Sequence, residues 1–118
     1  MTSKHAILSL WVLFAAVAAQ GRDLRLGMVG LVTGHLIAFT KLLHDRTMKD
    51  HVEGTRVVGA VKTGSPDIAR SWSTVDKYTG QLRTEFGVTI YDSIEELVKH
   101  VDAALIESVD GRPHLAQA

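Results

Sequence analysis

The stretch Leu24-Arg25-Leu26-Gly27-Met28-Val29-Gly30-Leu31-Val32-Thr33-Gly34-His35 decides the fold. Its first half is short and apolar, with charge before it and glycine after it, which marks a buried strand. Its second half is a glycine-bearing turn. Residues 34–45 (GHLIAFTKLLHD) then set Leu36, Ile37, Phe39, Leu42 and Leu43 mostly along one helical stripe. A buried strand that leads through a glycine turn into an amphipathic helix opens a βαβ unit.

The rest of the chain repeats the alternation. Residues 56–61 (RVVGAV) form a second apolar strand. Ser65-Pro66-Asp67 supplies cap, first-turn proline and acid, so a helix is expected to open there. It carries Val75, Tyr78, Leu82 and Phe86 at spacings of three and four, and Gly87 stands where a helix-ending glycine belongs. Residues 88–91 (VTIY) form a third strand. Asp92 with Glu95 has the spacing of a capping box and opens a helix through Leu97 and Val98. Residues 102–107 (DAALIE) form a fourth strand, 108–112 a loop, and Pro113 suits the first turn of another helix. Four strands alternating with helices predict an α/β fold with a parallel sheet covered on its faces. Right-handed crossovers then give the order 3-2-1-4, a partial Rossmann-like, doubly wound sheet.

The first twenty residues have another character. Lys4 and the terminal amine precede residues 6–19 (AILSLWVLFAAVAA), which carry no charge. As a helix this run would be about 21 Å long, short of a hydrocarbon core of about 30 Å. Ala16-Val17-Ala18 closes it with small residues. A basic start, a short apolar run and an A-x-A exit predict a signal peptide over residues 1–21; the alternatives are an uncleaved anchor or a buried first helix, and without a signal the protein would be cytoplasmic. The expected product is an exported domain, residues 22–118, periplasmic or extracellular, with no membrane span once the signal is removed. The signal lacks a twin-arginine pair.

Composition narrows the function. Thirteen basic and thirteen acidic side chains balance, leaving no basic footprint for nucleic acid. No cysteine is present, which excludes disulfides and thiolate sites. The histidines at 5, 35, 44, 51, 100 and 114 never fall four residues apart, so no metal site is expected.

Ligands of such sheets bind beyond the carboxyl ends of the strands. The loops that matter are therefore 30–35, 62–67, 91–93 and 108–114. In the first, Gly30 can make the tight turn and Gly34 removes a side chain at the helix start, where a pyrophosphate is favoured. Val32 takes the place of the second glycine of the usual G-x-G-x-x-G pattern; Thr33 and His35 complete the loop. The second strand leads into Lys62-Thr63-Gly64-Ser65, with no carboxylate for a ribose. Lys62 suits a 2′-phosphate, or is a solvated loop lysine. The fourth strand leads to Ser108, Asp110, Arg112 and His114; Arg112 faces either a phosphate or water. His35 and His114 stand at helix starts, where the dipole disfavours protonation. The candidate cofactor residues are Gly30, Val32, Thr33, Gly34, His35, Lys62, Ser108 and His114.

Leu26-Gly27-Met28-Val29-Gly30, the loop to His35, Phe39, and the phrase Gly87-Val88…Tyr91-Asp92-Ser93-Ile94-Glu95-Glu96-Leu97…Val101-Asp102-Ala103…Ile106 resemble the Gfo/Idh/MocA family of glucose–fructose oxidoreductases and inositol dehydrogenases. The resemblance runs over residues 24–118. The segment Ser108-Val109-Asp110-Gly111-Arg112-Pro113-His114-Leu115 is similar to a divergent, often exported branch, where the common family has Thr-Pro-Asn-x-x-His; His114 falls on that histidine. The resemblance implies an oxidoreductase that uses NAD or NADP on a sugar or polyol. It also implies a second domain that holds the substrate and supplies the catalytic lysine of a Glu-Lys-Pro motif. Both would lie past residue 118, so 22–118 is expected to be a C-terminally truncated cofactor domain without catalytic residues. The alternative is an exported, non-catalytic binding module that kept the fold and lost the cofactor.

Overall fold

The structure is a computed structural model that describes residues 21–118. The expected signal segment, apart from Gly21, lies outside the described residues. The elements are β1 (Leu24–Val29), α1 (Gly34–His44), β2 (Thr55–Val61), α2 (Ala69–Phe86), β3 (Thr89–Tyr91), α3 (Ile94–Leu97), β4 (Ala103–Ile106) and α4 (His114–Gln117). The sheet order is β3-β2-β1-β4 and every pairing is parallel. This is the expected Rossmann-like α/β arrangement. No helix among the described residues is long and apolar enough to cross a membrane.

Strand side chains alternate between the two faces. Leu26, Met28 and Val57 point to one face, where they meet Leu36 of α1 and Val75 and Leu82 of α2. Val29 and Val61 point to the other face and meet Leu97 of α3. Leu36, Leu82 and Leu97 are fully buried, each contributing roughly 1.5–3 kcal/mol of transfer free energy. Helix α3 has a single turn, so it depends on Leu97. Gly27 and Gly59 make that contact possible: a Cβ on them would stand 2.9 Å and 2.7 Å from Leu97 methyl carbons.

The β1–β2 register slips once, from Leu26↔Val57 to Gly27↔Gly59. Beside this bulge the Val57 N–H donates to His44 Nε2 at 3.0 Å. The same Nε2 lies 3.1 Å from the Val57 carbonyl oxygen, and burial pushes the His44 pKa down. Phe86 packs edge-on against the same ring, 5.6 Å between centroids.

Three local expectations are corrected. Helix α2 starts at Ala69 with Ile68 as N-cap, not at Ser65–Asp67. Ser65 is engaged elsewhere: its N–H donates to Ser71 Oγ and its hydroxyl to Asp110. Helix α3 is capped by Ser93, whose Oγ accepts from the Glu96 N–H, so the box lies one residue later than Asp92–Glu95. Phe39 is 43% exposed, while Thr40 is buried beside Leu36 and donates to the Leu36 carbonyl. The inner face of α1 is thus rotated from the apolar stripe, and Phe39 joins Leu42, Leu43 and Leu105 in a surface groove next to β4. Gly87 ends α2 in the left-handed region as expected, at φ 65°.

Candidate functional site

The chain reverses its direction of travel across the sheet between β1 and β4, and the loops that follow these strands define the switch point. Gly30 stands at φ 88°. A Cβ there would overlap the Ser108 hydroxyl and lie 2.6 Å from the Ser108 nitrogen. Glycine is required twice, for the backbone conformation and for this contact.

Val32 is 3% exposed and belongs to the core between the sheet and its helices. Its side chain sinks away from the loop's outer surface, and its carbonyl accepts the Thr74 hydroxyl at 2.6 Å. Thr33 is the N-cap of α1 yet caps nothing. Its Oγ1 is buried with no hydrogen-bond partner, a state that costs about 1–3 kcal/mol. Gly34 opens the helix; a Cβ on it would stand 3.4 Å from the Tyr78 hydroxyl. His35 is exposed, 6.3 Å from the Phe39 ring. No acidic residue occupies the first turn of α1.

The loops after β2 and β4 are clasped together by charge. The Ser65 hydroxyl donates to Asp110 Oδ2 at 2.7 Å. Arg112 pairs with Asp110 at 2.6 Å and with Asp67 at 2.8 Å. The guanidinium and the Ser65 hydroxyl hold the Asp110 carboxyl far below the usual range, and the two carboxylates raise Arg112. Arg112 stays solvent-exposed, and its guanidinium is held by carboxylates of the chain itself. Lys62 follows β2 and is ion-paired with Asp76 of α2. The Ser108 hydroxyl donates to Gln117 Oε1 at 3.0 Å, and His114 Nε2 donates to the Ser108 carbonyl at 2.7 Å. Glu107, at the end of β4, is pushed up by burial, an effect opposed by His35.

Two adjoining cavities open on this edge. One, of about 660 Å³, is bordered by Thr33, Gly34 and His35 at the start of α1 and by Ile68, Arg70 and Tyr78. The other, of about 260 Å³, is bordered by Thr63, Ser65, Ser108, Asp110 and Gln117. Val32, Ser71 and Val109 line both. The candidate residues thus divide. Val32, Thr33, Gly34 and His35 border the larger cavity and Ser108 the smaller. Gly30 shapes the turn beneath them. Lys62 and His114 border neither cavity.

Sequence reasoning missed Arg70, Ser71 and Tyr78. Arg70 was legible in principle, because a helix begun three residues later places it in the first turn. Among the described residues no group of three histidine, aspartate or glutamate side chains is arranged to hold a metal. No family model, no curated protein and no solved structure matches this chain.

Proposed function

We propose that this chain is the nucleotide-binding domain of an NAD(P)-dependent oxidoreductase of the Gfo/Idh/MocA kind, exported, and acting on a sugar or polyol-like substrate. One observation carries the reading: an uncapped helix N-terminus, opened by Gly34 and free of acid, borders a 660 Å³ cavity at the switch point of a parallel sheet. Backbone N–H groups and the helix dipole favour a pyrophosphate at such a place. Gly30 supplies the turn, the buried Val32 leaves the backbone approachable, and Gly34 leaves room for the phosphates. The hydroxyls around the smaller cavity suit a ribose. A bound nicotinamide would exchange hydride at C4 with a substrate carbon. The described residues bind and orient; none is assigned a proton-transfer role.

The rival, an exported binding module that has lost the cofactor, is favoured by a different observation. Lys62 and Arg112 are engaged by the chain's own carboxylates, and no carboxylate ends β2. Calorimetric titration with NAD and NADP separates the two. The proposal expects binding, and Gly34→Val should weaken it tenfold or more, roughly 1.4 kcal/mol, because branched carbons would crowd both the Tyr78 hydroxyl and the phosphate position. No binding of either nucleotide to the folded protein would leave the rival standing.

A further inference from the structure

His44, the last residue of α1, lays its ring against the backbone of β2. Strand β3 pairs with β2 only from Gly59 onward, and the imidazole meets Val57 just before that point. Its Nε2 stands 3.0 Å from the Val57 nitrogen and 3.1 Å from the Val57 carbonyl oxygen. One ring nitrogen cannot serve both groups. With a lone pair on Nε2 the neutral ring accepts from the N–H; with a proton there it donates to the carbonyl. Val57 is 1% exposed, so the group left out cannot turn to bulk water. An unpaired buried N–H is rarer in proteins than an under-satisfied carbonyl. That asymmetry favours the neutral ring that accepts.

The charges around the ring point the same way. His44 borders a small polar pocket with Asp23 before β1, Arg46 and His51 after α1, and Arg56 on β2. Two guanidiniums against one carboxylate disfavour a further cation. Asp45, the next acid along the chain, accepts from the Thr47 N–H and hydroxyl. Phe86 of α2 covers the ring edge-on and brings no charge. The carbonyl end of α1 works in the opposite sense, since it attracts a cation. Burial and the charge of Arg56 push the pKa of His44 down. His51 supplies the contrast. Its Nδ1 donates to the Leu42 carbonyl at 2.8 Å, a bond that protonation leaves intact, because a carbonyl only accepts.

We propose that His44 is an acid-sensitive fastener of the sheet: neutral, it holds the Val57 N–H and ties the end of α1 to β2; protonated, it trades that N–H for the carbonyl and leaves a buried donor without an acceptor. The place matters. The β1–β2 register slips immediately after Val57, from Leu26↔Val57 to Gly27↔Gly59, so the tie acts where the ladder is already interrupted. The folded-state pKa lies below the ordinary histidine value, so the tie is complete above about pH 6.5 and is lost as the pH falls through the lower folded value. The switch sits at the opposite end of α1 from the cavity that Gly34 and His35 border. It goes beyond the nucleotide reading and does not rest on it.

The test is nuclear magnetic resonance of the full chain, titrated from about pH 8 to about pH 5, on either side of the ordinary histidine value. Ring nitrogen shifts report which His44 nitrogen carries the proton, and amide exchange, divided by the intrinsic rate at each pH, reports protection of the Val57 N–H. At the upper limit the proton should be on Nδ1. Protection of Val57 should fall at least tenfold as His44 takes up its second proton. His51→Gln should leave that transition in place. His44→Gln, whose amide can accept from the N–H at every pH, should abolish it. A wild-type ring with its proton on Nε2 at the upper limit would overturn the proposal, and so would Val57 protection that does not follow the His44 titration. Persistence of the transition in His44→Gln would overturn it as well. If His44→Gln does not fold, the wild-type tautomer and the Val57 protection still decide.

Discussion

Gly30→Ala is the most discriminating single change in the molecule. At φ 88° an L-residue carries a conformational cost of about 1–2 kcal/mol. The added methyl would also stand 2.6 Å from the Ser108 nitrogen and 2.8 Å from its Cα. Those atoms are backbone and cannot rotate aside, so the loop after β4 must move; such overpacking costs roughly 1–3 kcal/mol. The sum, about 2–5 kcal/mol, is a large share of the ~5–15 kcal/mol that stabilises a small domain. At roughly 4–8 °C per kcal/mol for a domain of this size, the melting temperature should fall by about 8 °C or more. Gly87→Ala separates the two causes. Its φ of 65° imposes the same kind of strain, but nothing lies within 4 Å of its Cβ position. Thermal melts followed by circular dichroism should place Gly87→Ala between wild type and Gly30→Ala, and Gly111→Ala, with an open Cβ position and no positive φ, close to wild type. A Gly30→Ala melt within about 3 °C of wild type, or equal to that of Gly87→Ala, would refute the claim that the loops after β1 and β4 meet there.

Leu97→Ala should cost about 2–5 kcal/mol in urea unfolding, because Leu97 is fully buried over Gly27 and Gly59 and fastens the single turn of α3; a loss below about 1 kcal/mol would show that α3 is held some other way. Asp102 should shape the acid limb of stability. Hydrogen bonds from the Arg25 side chain and backbone, and the charge of its guanidinium, lower its pKa to about 2. A folded-state pKa below the unfolded value of about 3.9 means that the contribution is present above about pH 4 and disappears as pH falls toward 2. Asp102→Asn should therefore flatten the pH dependence of the melting temperature between those limits, and an unchanged slope would count against the pairing.

The sheet was legible because its signals are local. Apolar runs of strand length, the stripe of α2 and the glycine at 87 depend on residues within a few positions of one another. The order 3-2-1-4 followed from the handedness of crossovers, which is a property of any L-polypeptide. The same locality explains the misplaced cap. Ser65-Pro66-Asp67 has every mark of a helix start, but Ser65 was already committed to Asp110, a residue 45 positions away. Nothing in the local pattern reports that bond. Phe39 fell outside the core while Thr40 was buried in its place, its hydroxyl satisfied by the carbonyl one turn back.

The loops that could meet a ligand were likewise determined by sequence, since parallel strands deliver them to one edge. Which cations stay available there was not. Lys62 and Arg112 looked like phosphate ligands while their neighbours were unknown. Only the tertiary structure set Asp76 beside one and Asp67 and Asp110 around the other. Charge compensation depends on separations of a few ångströms between residues far apart in the chain. Coulomb energy falls with distance in space, and a sequence records only distance along the backbone.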